Sequence, residues 1–198
     1  KEIEDKSVDL LITDPPYQVM KDYKWDEDKK DFLNNWLLAI KSKLKDNYIG
    51  FIFCDSRRQF EFEAIINRYF DIKNRLIWVR KNMALGRVVK DRFISSYEVI
   101  FYFSNKDLNF PLNWGEERFD SFEYAVPQSN FKEGKFHPTQ KPLELFKRLI
   151  KLGSREGELV ADIFAGSGTT GLACKELNRN CVMIEKEKEY IKIIKGRI

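Results

Sequence analysis

Asp162-Ile163-Phe164-Ala165-Gly166-Ser167-Gly168-Thr169-Thr170-Gly171 follows an apolar run over residues 159–163 and precedes a helical pattern over residues 169–177. A buried strand, a glycine turn and a helix start, in that order, make a ligand cradle. Glycines let the backbone approach a ligand, and the free N–H groups of the helix N-terminus face it. Gly166, Gly168 and Gly171 fit the G-x-G-x-x-G spacing of dinucleotide-binding sheets. A plain tight turn between strand and helix would use the same glycines. By itself the stretch therefore implies a nucleotide-like cofactor, NAD among the candidates, and leaves its identity to the rest of the chain.

The chain has 198 residues, 43% hydrophobic and 33% charged, which suits one domain with a real core. No apolar run nears the roughly 20 residues needed to span a membrane. Residues 1–9 are charged and unlike a signal peptide, so the cytoplasm is the expected location. Cys54, Cys174 and Cys181 sit in apolar segments at irregular spacing. They read as small core residues, not as a disulfide framework or a zinc site. His137 is the single histidine, which excludes a multi-histidine metal site. The net charge of +4, from 35 basic and 31 acidic residues, allows a nucleic-acid partner without requiring one.

Along the chain, residues 8–13 form an apolar strand that Asp14-Pro15-Pro16-Tyr17 ends at once. Two prolines stop the strand and stiffen the backbone, which places Asp14 at a strand's carboxyl end. A polar loop over 18–30 carries Tyr23 and Trp25. An amphipathic helix over 31–45 follows, with Leu33, Trp36, Leu37, Ile40 and Leu44 on one stripe. Residues 48–54 read as a buried strand and 57–69 as a helix capped by Asp55 or Ser56. Residues 72–79 and 98–103 read as two more strands. Between them lies a basic loop carrying Arg80, Lys81, Arg87, Lys90 and Arg92. Residues 105–135 are aromatic and proline-containing without a sustained period, and read as an insertion outside the core. His137-Pro138-Thr139-Gln140-Lys141-Pro142 leads into a helix over 143–152. The glycine stretch comes next, then a strand over 181–184 ending in Glu185, and a closing helix over 188–197. Alternating strands and helices imply an α/β fold with a doubly wound, mainly parallel sheet. Such a sheet can bring Asp14–Tyr17 and the glycine turn side by side at its switch point.

The residues at Asp14 suit a flat heterocycle bearing an amine. The Asp14 carboxylate and the Pro15 carbonyl are both acceptors, and Tyr17 can stack on a ring. A strand-terminating turn with a capping aspartate and a core tyrosine would use the same residues.

Asp14-Pro15-Pro16-Tyr17, followed far downstream by Phe164-Ala165-Gly166-Ser167-Gly168-Thr169-Thr170, resembles the S-adenosylmethionine-dependent DNA amino-methyltransferases. The order of the two motifs resembles the β-class, a circularly permuted, Rossmann-like methyltransferase fold. Residues 7–13, 137–142 and Glu185 also look like family signatures. The resemblance covers the chain except residues 105–135. It implies a cofactor site for S-adenosylmethionine at Asp162, Phe164, Ala165, Gly166, Ser167, Gly168, Thr169 and Thr170, with Glu185 on the ribose hydroxyls. Thr139 and Lys141 would lie near the methionine end, Lys141 on its carboxylate. It further implies catalysis by Asp14, Pro15, Pro16 and Tyr17 on a flipped base, with double-stranded DNA as partner and a homodimer as a common assembly. Arg80, Lys81, Arg87, Lys90 and Arg92 would meet phosphates.

The division that follows is a catalytic half at 1–104, a short target-recognition insertion at 105–135 and a cofactor half at 136–198. Asp at position 14 favours adenine N6 over cytosine N4 by resemblance. No Pro-Cys pair, the nucleophile motif for methylating a ring carbon, occurs in the chain. Family members usually begin with a further strand, whose acidic residue borders the cofactor's adenine. The sequence given starts after that point, so it is expected to be either a fragment or a chain that lost the strand, which bears on cofactor affinity and activity. The rival readings are a truncated module that binds DNA without methylating it, and an NAD-dependent dehydrogenase. The dehydrogenase would need a substrate domain after the glycine turn, where little chain remains.

Overall fold

The computed structural model describes residues 2–17, 31–82, 91, 93–109, 118–132 and 134–198. Arg87, Lys90, Arg92 and the 18–30 loop lie outside the described residues. The elements run β1 (Val8–Thr13), α1 (Phe32–Lys41), β2 (Leu44–Asp55), α2 (Gln59–Ile66), β3 (Ile72–Arg80), β4 (Tyr97–Ser104), β5 (Ser121–Tyr124), α3 (Leu143–Gly153), β6 (Leu159–Asp162), α4 (Thr169–Glu176), β7 (Asn180–Met183) and α5 (Lys188–Arg197). The sheet order is β5-β3-β4-β2-β1-β6-β7. Every pairing is parallel except the two made by β4, which runs against β2 and β3. The expected doubly wound, mainly parallel sheet is what forms.

Burial explains which strands read clearly in sequence. All of β1 and most of β2 are covered on both faces and are near-continuous apolar runs. On one face α1 and α2 bury Leu33, Trp36, Leu37, Phe62 and Ile66 against Leu11, Ile52 and Phe101. On the other, α3 and α4 bury Leu145, Phe146, Leu149 and Ala173 against Leu10, Ile12, Phe51 and Phe53. From β1 the chain winds toward β2, and from β6 toward β7. The adjacent central strands β1 and β6 therefore form the switch point, and their carboxyl ends frame a crevice.

Three local readings are corrected. The helix expected over 31–45 stops at Lys41, because Leu44 is taken into β2 opposite Val8. Neither Asp55 nor Ser56 caps α2; Asp55 accepts the Arg57 N–H at 2.9 Å and pairs with the Arg57 guanidinium. The 105–135 segment is not wholly outside the core. Residues 121–124 form β5, parallel to β3, and Phe122 is buried. The Trp78 indole N–H donates to the Tyr124 carbonyl at 3.0 Å and holds that strand in place. Four residues are too short to show a period, so tertiary pairing decided this strand.

Candidate active site

A cavity of about 310 Å³ occupies the crevice. Asp14–Tyr17 after β1, His137–Lys141 before α3, the turn after β6 and Ile184–Glu187 after β7 supply its walls. Distant segments of the sequence thus meet because β1, β6 and β7 are parallel and end on one edge of the sheet.

The glycine turn is held by acceptors from its own surroundings. Gly166 (φ 51°) and Gly168 (φ 81°) adopt left-handed conformations that other residues rarely enter. A Cβ on Gly168 would also lie 2.9 Å from Ile194 of α5. Asp162 is buried and accepts from the Thr13 hydroxyl at 2.8 Å, the Phe164 N–H at 3.1 Å and the Thr170 hydroxyl. Burial pushes its carboxyl up to about 6 against the pull of these donors. Asp162 therefore ties β6 to β1 and α4. Glu185 accepts the Gly166 N–H at 2.8 Å and the Glu187 N–H at 2.8 Å, bracing the turn from β7. The Phe164 ring stands against Phe32 (5.6 Å) and Trp36 (5.5 Å), giving that wall a flat apolar face.

The opposite end of the cavity is made of charges. Asp14 Oδ2 lies 2.5 Å from the Lys141 ammonium, and Oδ1 accepts from the Tyr17 hydroxyl. Lys141 also reaches Glu98 Oε2 at 3.2 Å, and the Tyr17 hydroxyl reaches the same oxygen at 3.3 Å. Burial works against the Lys141 ammonium, but Asp14 and Glu98 outweigh it and hold its pKa above the usual lysine value. Burial and the same two carboxylates raise the Tyr17 phenol, which stays a donor. Beneath Lys141 lies the Phe53 ring, 5.6 Å from the ammonium.

The structure thus brings Asp14, Pro15, Pro16, Tyr17, Thr139, Lys141, Asp162, Phe164, Ala165, Gly166, Ser167, Thr169, Thr170 and Glu185 to one cavity. Gly168 lies under the turn as the residue before α4. Lys141 faces Asp14 and Glu98, a position that the sequence reading did not give it. Arg80 is the last residue of β3, not part of a loop. Its guanidinium turns inward to the Ser95 carbonyl and to Glu98 at 3.7 Å. Lys81 is exposed and pairs with Glu123 at 2.9 Å.

Sequence reading gave no role to Glu98, Gln140 or His137. Gln140 accepts the Phe136 N–H at 2.8 Å and the Ser167 hydroxyl at 3.3 Å, joining the segment before α3 to the glycine turn. His137 packs on Tyr190 at 4.4 Å, and burial lowers its pKa to about 4, leaving it neutral at pH 7. The available signal for Glu98 was a carboxylate opening the apolar run Val99–Phe103, since buried charges need partners.

The donor set fits S-adenosylmethionine. An aromatic wall suits a flat base, the Glu185 carboxylate suits hydroxyls, and left-handed glycines admit close approach. Among the described residues there is no group of three or more His, Cys, Asp or Glu that could hold a metal ion. No described helix is long and apolar enough to cross a membrane.

Comparison with known proteins agrees with this chemistry. The family described as DNA methylase matches residues 8–196. The type II methyltransferase M2.DpnII of Streptococcus pneumoniae is 31% identical, over 98% of this chain and 83% of that protein. M.HpaI of Haemophilus parainfluenzae, also a type II methyltransferase, is 30% identical over 100% of this chain and 70% of its own length. Among solved structures, M1.HpyAVI in complex with SAM superimposes with a TM-score of 0.76 at 32% identity, covering 96% of this chain and 88% of that one. The cytosine-N4-specific PvuII DNA methyltransferase shares the fold, with a TM-score of 0.81 at 20% identity over 98% of this chain and 80% of its own. The chain belongs to the DNA methylase family.

Proposed function

We propose that this methylase transfers a methyl group from S-adenosylmethionine to the exocyclic N6 amine of adenine in double-stranded DNA, as the modification enzyme of a restriction system acting in the cytoplasm. The observation that carries the reading is that Asp14 and the glycine turn line one cavity. When bound, S-adenosylmethionine would supply an electrophilic sulfonium methyl, its S–CH3 bond breaking to leave a neutral thioether as the N–CH3 bond forms. The glycine turn, Phe164 and Asp162 would hold it, with Ala165, Ser167, Thr169 and Thr170 in the wall and Glu185 on the ribose hydroxyls. Thr139 and Lys141 stand at the end of the cavity nearest Asp14.

The work of the chain's own residues is on the amine. An adenine amine is a poor nucleophile because its lone pair is delocalised into the ring. Asp14 and the Pro15 carbonyl would accept hydrogen bonds from its two N–H groups, favour a pyramidal nitrogen and leave the lone pair free to attack in line. Pro16 keeps that backbone stiff. As positive charge develops on nitrogen, Asp14 stabilises it and then takes the proton the nitrogen sheds. Tyr17 would stack on the base after it leaves the duplex, a step costing a few kcal/mol.

Lys81, with Arg87, Lys90 and Arg92 beyond it, would meet phosphates; Arg80, turned toward Glu98, would support the site from within. Residues 105–135 would read the target, between a catalytic half at 1–104 and a cofactor half at 136–198 in permuted order. A homodimer is the proposed assembly. Incubation of the chain with labelled S-adenosylmethionine and unmethylated duplex DNA, followed by nucleoside analysis, should give N6-methyladenine. Label in cytosine N4 would move the target base, and label in no amine would end the reading.

A further inference from the structure

Glu98 is the second residue of β4, followed by Val99, Ile100 and Phe101, and its side chain is only 12% exposed. A carboxylate buried so far costs several kcal/mol unless it is paired. Among the described residues its partners come from three separate elements: Lys141 from before α3, Tyr17 from after β1 and Arg80 from β3. It does not line the cavity. Two of its three partners, Lys141 and Tyr17, also hold Asp14.

This sharing has a consequence for the reaction. Both oxygens of Asp14 are engaged by protein donors, Tyr17 on Oδ1 and Lys141 on Oδ2. A substrate amine needs an acceptor oxygen at that place. Each donor has the same second acceptor within reach, Glu98 Oε2, while Arg80 faces Oε1 from behind. We propose that Glu98 is a positioning residue of the methyl-transfer site, whose Oε2 draws the Lys141 ammonium and the Tyr17 hydroxyl off Asp14 and so frees Asp14 to accept the amine's hydrogen. The inference rests on the reading of Asp14 as the amine's acceptor. The exchange never leaves the buried ammonium without a carboxylate, so it avoids the cost of an unpaired buried charge. Without Glu98, Lys141 would have Asp14 as its only carboxylate among the described residues and would compete with the substrate for it.

The test uses the full chain, labelled S-adenosylmethionine at saturation and unmethylated random-sequence duplex DNA, read as a single turnover per folded molecule. E98Q should transfer about 100-fold more slowly, within the range for disturbing a positioned acid–base group. Its affinity for the cofactor should stay within about twofold, because the side chain lies outside the cavity. E98Q/K141M should transfer at least about tenfold faster than E98Q, because the competing cation is gone; two residues in one network are expected to be non-additive. A Glu98 that only neutralises Lys141 within the fold would lower the melting temperature and leave the rate per folded molecule at the wild-type value. That result, or a double variant no faster than E98Q, overturns the proposal. Should E98Q not fold, E98D replaces it: the shorter carboxylate should transfer more slowly, and a wild-type rate overturns the proposal equally. A wild type that labels no amine sinks the reading of Asp14 itself, whereas an active wild type with an unimpaired E98Q sinks this inference alone.

Discussion

The two ends of the cavity are built from different materials. At the glycine end, the ligand-facing surface is the left-handed glycine turn with the Phe164 ring beside it. Its supporting carboxylates, Asp162 and Glu185, accept from backbone N–H groups and hydroxyls within the turn's own neighbourhood. At the Asp14 end, the surface is ionisable side chain, and each group is held by another: Asp14 by Lys141 and Tyr17, and both of those by Glu98. The first end is a preformed mould whose shape depends on backbone conformation. The second is a charge network whose partners can be exchanged. A binding site needs the former, because a fixed shape costs little to occupy. A proton-handling site needs the latter, because charge moves there during the reaction.

The sharpest way to break this contrast is Asp14→Ala. It should lower methyl transfer by about 1,000-fold, the upper part of the range for a positioned acid–base group, while cofactor binding measured by titration stays near wild type. Loss of both together would show that the two ends are one unit.

At the glycine end the strongest lever is pH. The Asp162 carboxyl titrates near 6 in the folded chain against 3.8 as its ordinary value, so the folded state holds more protons between those limits. The contribution of this group to stability is complete below about pH 4 and falls as pH rises toward 6, by about 3 kcal/mol at 1.36 kcal/mol per unit. Asp162→Asn should flatten that part of the stability curve in chemical denaturation from pH 4 to 7. An unchanged slope would mean that the buried carboxylate is not its source.

Gly168→Ala should act through shape alone. The left-handed backbone and the approach to Ile194 predict about 1–3 kcal/mol of lost stability and weaker cofactor binding. The transfer rate at saturating cofactor should hold. Tyr17→Phe should be the mildest. It keeps the ring and removes one donor that has to leave Asp14 before the amine can bind, so the transfer rate should hold or rise, by no more than about tenfold, the scale of one hydrogen bond to a charged group. A slower rate would show that the hydroxyl supports Asp14 instead of competing for it.

The same contrast explains what could be read before the fold was seen. The glycine end was legible because its parts are local: an apolar strand, glycines and a helix start within a short stretch, with Glu185 one strand later. Asp-Pro-Pro-Tyr was legible for the same reason. The partners of Lys141 were not. Its sequence position, at the entry to a helix, suits a surface lysine equally well, and only the packing of that segment over Phe53 turns it toward Asp14. β5 was hidden for a related reason, since four residues acquire strand character only from pairing with β3.

Local pattern was enough for the fold class, through buried apolar strands alternating with amphipathic helices, and for the two motifs that meet at the cavity. The tertiary structure alone decided the charge network. Glu98 reaches the two donors that hold Asp14 because β4 runs against its neighbours, so that its first residues, with Glu98 opposite Asp55 of β2, lie at the edge where β1 and β6 end. Had β4 been parallel, the same glutamate would lie at the far edge of the sheet. Strand direction is set by pairing between distant segments, and no local pattern of residues records it.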